Sequence, residues 1–239
     1  MSGFCWTDER IRALEDAAND SGYYEALASL LSHGLPKDAS VLDVGGGTGR
    51  LALALSSSCR FVRSLDASPL AHETAAMHAK TVSNMDAVCH DAWTYAPKER
   101  FDAAVFHYFG RMDEVLAFLH RTHIPLALVI KRRIAVHRFS VSPHHTRFES
   151  LAEAERFLCT RNVPYERTDG SLPFGQPFRS PEDAVSFFQS YSRDEHPSEI
   201  TFSDIAPRLL MRDDPAFPLF LPEEKQFSIL TIPNPEVCK

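Results

Sequence analysis

A chain of 239 residues with 44% hydrophobic content can bury the core of one large α/β domain. Its formal charge of −7 gives no general attraction to nucleic-acid backbones, so DNA is not expected as a partner. Five singly scattered cysteines without a C-x-x-C pair point to a reducing cytoplasm, and neither a secretory leader nor an apolar run of membrane-spanning length is read.

Two amphipathic helices open the chain, one capped by Thr7 and one over GYYEALASLLSHG. SVLDV reads as a buried strand and RFVRSLD as the next, followed by a helix with Ser68 as cap and Pro69 in its first turn. The alternation runs on through MDAVCHD, FDAAVFHY, a helix over RMDEVLAFLHR and the strand IPLALVIKR. A helix over SLAEAERFLC, a short strand near VPYERTD and a last strand in KQFSILTIP complete the pattern. This predicts an α/β, doubly wound, mostly parallel sheet.

Residues 170–224 differ, with prolines and phenylalanines around two predicted helices, SPEDAVSFFQSYS and TFSDIAPRLLM. They read as a cap inserted late in a single domain. Residues 1–36 form an N-terminal helical lid, 37–169 the core, and 225–239 the last strand and tail. Phe174, Phe178, Phe187, Phe188, Phe217 and Phe220 offer the cap apolar material.

The first strand runs into VLDVGGGTGR, with four glycines in the five positions from Gly45 to Gly49. Glycines here let the backbone turn and approach a ligand at the start of the next helix. A dinucleotide loop needs G-x-G-x-x-G, but counting from Gly45 and Gly47 puts Arg50 at the third glycine. Asp43 would repel a pyrophosphate and attract a cation.

D-V-G-G-G-T-G resembles the first motif of the class I S-adenosylmethionine-dependent methyltransferases, D/E-x-G-x-G-x-G. The resemblance implies a Rossmann-like seven-stranded sheet whose last strand is antiparallel. It also implies S-adenosyl-L-methionine as cofactor, with S-adenosyl-L-homocysteine as product. Asp43, Gly45, Gly46, Gly47, Thr48 and Gly49 would then shape the methionine side. Asp66, followed by Ala67, ends the second strand where a carboxylate can accept from both ribose hydroxyls. Asp91 would hold the adenine amino group, with Ala92 and Trp93 flanking the base. Tyr23, on the lid, would contact the methionine carboxylate.

The family places its acceptor beyond the fourth strand, where His107 and Tyr108 emerge as candidate catalytic residues. His107 could serve as a base or line the cofactor. The N/D-P-P-Y/F tetrad of amino-directed nucleic-acid methyltransferases is absent there. The run KRRIAVHRFSVSPHHTR could receive an anionic acceptor or form a solvated rim. His144 and His145 have no carboxylate or cysteine at ligand spacing, so no metal is expected. The expected acceptor is a small molecule, anionic or partly apolar. A protein or RNA acceptor, a non-catalytic cofactor binder and aminopropyl transfer are the alternatives.

Overall fold

The computed structural model describes residues 5–134, 137–142, 144, 149–234 and 237. His145, Arg147 and Cys238 lie outside them. The Thr7 hydroxyl accepts from the Arg10 amide at 3.3 Å and starts α1 (Asp8–Ser21), with Asp8 and Glu9 at the positive end of the helix dipole. Gly22, at φ 60°, turns the chain into α2 (Tyr23–Ser32). The alternation follows as β1 (Ser40–Val44), α3 (Arg50–Leu55), β2 (Phe61–Asp66), α4 (Pro69–Ala79), β3 (Met85–Cys89), β4 (Ala103–His107), α5 (Met112–Thr122) and β5 (Leu126–Arg132).

Ser150 and Glu153 cap each other's backbone at the head of α6 (Leu151–Thr160). Then come β6 (Glu166–Pro173), β7 (Gln176–Phe178), α7 (Pro181–Tyr191), α8 (Phe202–Ile205), β8 (Leu210–Met211), β9 (Leu219–Leu221) and β10 (Glu224–Pro233). The main sheet has the order β3-β2-β1-β4-β5-β10-β6, with β10 antiparallel to both neighbours and the five strands before it parallel. This is the doubly wound sheet the alternation predicts.

Side chains alternate across the sheet and bury one apolar layer on each face. Val41, Leu128, Ile130 and Ile229 pack with α2 and α3 on one side. Leu42, Val44, Phe106, Val129 and Ile232 pack with α5 and α6 on the other. Because β1 starts inside the sheet and both its faces are covered, its polar member Asp43 is carried into the interior with Val41.

Between β6 and β10 the chain builds a second sheet, β7-β9-β8, with a small core of its own. Phe178, Phe187 and Phe188 fill that core with Ile200, Ile205 and Leu219. Two expectations change here. The strand predicted near VPYERTD starts at Glu166 and continues to Pro173, because it pairs with β10 residue by residue from Thr231 to Glu224. The helix predicted over TFSDIAPRLLM stops at Ile205: Pro207 has no amide to continue the ladder, and after one 3-10 turn the chain becomes strand β8.

Candidate functional site

The glycine loop folds back over the carboxyl ends of β1 and β2. Gly45 and Gly47 sit at φ 71° and 57°, where a side chain would be strained. A Cβ on Gly46 would stand 2.4 Å from Ser64 Oγ and 2.8 Å from a carboxylate oxygen of Asp43. The backbone therefore lies directly on that acid. Asp43 is 1% exposed, and neither of its oxygens has a hydrogen-bond partner. The Ala52 amide, in the first turn of α3, faces the carboxylate without reaching hydrogen-bond geometry. Burial, then the charge of Asp66, pushes the Asp43 pKa up to about 7. The buried hydroxyls of Thr48 and Ser64 also lack partners.

Asp66 latches the loop: one oxygen accepts from the Gly47 amide and the other from Ser68, each at 2.9 Å. Both keep further lone pairs for hydroxyl donors. Ala67 follows it, on the rim where β2 ends. Asp91, exposed after β3, accepts from the Trp93 amide at 2.9 Å, and Ala92 is buried. Asp43, Asp66 and Asp91 thus stand in sequence along the ends of β1, β2 and β3. Gly49 serves packing, since a Cβ there would stand 2.9 Å from that of Ala75 on α4.

Beyond β4 an aromatic cluster closes the site. Tyr23 Oη lies 2.9 Å from His107 Nε2 and 3.4 Å from Tyr108 Oη. Tyr108 itself takes φ 55°, an uncommon conformation for a side-chain-bearing residue and one that marks functional turns. Burial, then Lys225 and Arg132, holds His107 well below the ordinary histidine range, so its ring is neutral at pH 7. Burial also raises both tyrosines, which keeps their hydroxyls protonated. The cluster offers hydroxyl donors and a neutral imidazole.

Residues 41–124 match the family model described as a methyltransferase domain. Over that stretch the chain is similar to methyltransferase domains. A comparison with curated proteins found no match. Among solved structures, the YcgJ protein from Bacillus subtilis is 18% identical, covering 87% of this chain and 98% of its own at a TM-score of 0.53. DhpI, solved as a complex with SAH, is 17% identical over 95% of this chain and 94% of its own, at 0.50. The 4+2 cyclase SpnF is 16% identical over 88% and 81%, at 0.51. At these identities the likeness is one of fold.

Several features of the candidate site are not evident from the sequence. The rings of Trp6 and Phe109 rest on the glycine loop, Trp6 2.7 Å from a Cβ built on Gly47 and Phe109 2.3 Å from one built on Gly45. One face of Trp93 stacks on Phe109, with centroids 5.2 Å apart and planes 8° from parallel. A ligand lying on the loop must shift these rings. Arg50, the residue that broke the dinucleotide pattern, pairs with Glu15 of α1, and His78 joins Glu15 at 3.1 Å and the Thr48 carbonyl at 2.8 Å. The first helix is thereby fastened to the loop.

Tyr23 and Tyr24, whose adjacency argues against a shared helical face, both reach one cluster. Tyr23 is the first residue of α2, so the two rings diverge across the helix end at 83° and each still meets His107 and Phe174. Among its described residues, the basic run makes several contacts within the fold. Lys131, 5% exposed, binds Glu149 and the Gly110 carbonyl, each at 2.7 Å. Arg138 pairs with Glu223, and His144 lies 3.1 Å from Asp194. Among the described residues no group of three or more His, Cys, Asp or Glu side chains is placed to hold a metal. No helix among them is long and apolar enough to cross a membrane.

Proposed function

We propose that this chain transfers a methyl group from S-adenosyl-L-methionine to a small molecule, releasing S-adenosyl-L-homocysteine. The observation that carries the reading is Asp43, a buried carboxylate without a partner directly beneath the glycine loop. A buried acid in that state invites a cation, and the ammonium and sulfonium of the methyl donor supply one. Asp66 suits the ribose hydroxyls and Asp91, with Ala92, the adenine amino edge. Gly45 to Gly49 and Thr48 shape the methionine side, Ala67 borders the ribose, and the shifted Trp93 or Phe109 ring covers the base.

Bound there, the donor supplies an electrophilic methyl carbon, whose bonding electrons leave with the sulfur as the acceptor attacks. The chain's own part is alignment and exclusion of water. Tyr23, His107 and Tyr108 line the acceptor side, with protonated hydroxyls that orient rather than abstract. The neutral His107 is a weak base, which suits an acceptor that arrives already ionised. The cap and the helical lid, in one domain, enclose a small ligand. Free thiols at Cys5, Cys59, Cys89 and Cys159 accord with a cytoplasmic enzyme.

Calorimetry with each cofactor form tests the reading. Binding at micromolar to millimolar concentration supports it, and no binding in that range rejects it. The SpnF likeness supports a second reading, a chain of this fold that performs other chemistry. Tight binding of the donor with no S-adenosylhomocysteine formed across broad acceptor panels would favour that reading.

A further inference from the structure

The acceptor side of the cleft holds a cation that no acid in the described chain neutralises. Lys225, on β10, places its ammonium 3.5 Å from the ring centroid of Phe174, 4.6 Å from that of Tyr23 and 5.7 Å from that of Tyr108. The charges acting on it are Arg132 and Arg138, of its own sign. The guanidinium of Arg132 lies over the other part of the wall, 4.7 Å from the Tyr108 centroid. The nearby acids are engaged or turned away. Glu223 pairs with Arg138 and Arg208, Asp169 with Arg167 and Arg133, and Glu224, next along β10, is exposed on the opposite side of the strand.

Ring faces soften the cost of such a cation but do not replace a counterion. Burial, then the two arginines, lowers the Lys225 pKa well below its usual value, a strain that an arriving negative charge relieves. Lys225, Tyr108, His107 and Phe174 are all half-buried, so a ligand can reach them. Three aromatic rings around the ammonium fit a flat partner that can pack among them.

We propose that Lys225, with Arg132 beside it, is the anion-recognition point of the acceptor pocket, and that the acceptor is a planar aromatic or enolic small molecule carrying a carboxylate or phenolate. The assignment rests on the reading of this cleft as the methyl-acceptor site. It places the specificity of the enzyme on a residue from the last strand, supported by the first turn of the cap through Phe174.

The test uses benzoate and its uncharged isostere benzamide, titrated into the full chain with and without S-adenosylhomocysteine. The native protein should bind benzoate about tenfold more tightly than benzamide. Lys225→Met should bring the two to equal affinity, and Lys225→Arg should keep the preference. Equal binding of both probes by the native protein, no benzoate binding, or a preference that survives in Lys225→Met overturns the proposal. S-adenosylhomocysteine affinity is measured in the same samples. Its absence in the native protein rejects the methyl-donor reading, while the charge preference, read without cofactor, still decides the role of Lys225.

Discussion

Tyr23 and His107 join the start of α2 to the end of β4 through a contact of 2.9 Å between a hydroxyl and an imidazole nitrogen. Burial keeps both partners uncharged, so the bond joins two neutral groups. Tyr23→Phe keeps the ring and removes the hydroxyl. It should lower unfolding stability by about 1 kcal/mol, read from the urea midpoint. An unchanged midpoint would show that the bond adds nothing.

Asp43 couples stability to binding. Its native pKa of about 7 lies above the 3.8 of the free side chain, so the folded state holds the proton more tightly. The stability tied to that proton is present below pH 3.8 and lost as pH rises through 7. Asp43→Asn should therefore stabilise the unliganded protein by a few kcal/mol at pH 8 and hardly at all at pH 3.5. The same substitution should abolish tight S-adenosylhomocysteine binding. Melting curves across pH, with calorimetry beside them, check both halves.

The wild-type acid makes a further expectation. A cationic ligand favours the ionised carboxylate, so binding near pH 6 should release up to about one proton, and binding near pH 8 should release fewer. Calorimetry in buffers of different ionisation enthalpy reads that number. Equal release at both values would place the ligand's charge away from Asp43.

Asp66 holds the Gly47 and Ser68 amides besides its proposed ribose role, so its removal should act twice. Asp66→Ala should weaken S-adenosylhomocysteine binding by about 1 to 3 kcal/mol. Unchanged affinity would reject the ribose role and leave the residue as a loop latch.

Both tryptophans of the chain, Trp6 and Trp93, stand at the glycine loop or at Phe109 above it. Cofactor binding should change the intrinsic fluorescence, and Trp6→Phe should remove a large part of that change. A signal indifferent to ligand would mean that neither ring moves.

Lys131 and Glu149 form a buried ion pair whose carboxylate also accepts from the Met112 amide, at 3.0 Å to one oxygen and 3.2 Å to the other. Lys131→Met leaves that acid unpaired and should cost about 3 to 5 kcal/mol, whereas Lys131→Met with Glu149→Gln should cost less. Urea denaturation of the three proteins separates the outcomes.

The local chemistry of the chain determined the alternation of elements, the caps at Thr7, Ser68 and Ser150, and the three acids ending the first strands. Each depends on spacing within a short segment: apolar period, a capping hydroxyl, glycines where the chain must double back. Asp43 and Arg50 were legible as departures from a dinucleotide loop for the same reason. Tertiary structure decided what those residues meet. Only the pairing of β10 with β5 and β6 brings Lys225 beside Tyr23, and only the sheet's burial leaves Asp43 without a partner. The phenylalanines of 170–224 divide between the cap's own core and the cleft according to how β7, β8 and β9 pair, and Trp93 finds Phe109 because the turn after β4 folds onto the loop. Contacts between distant segments follow from strand register and packing, which no single stretch of sequence carries.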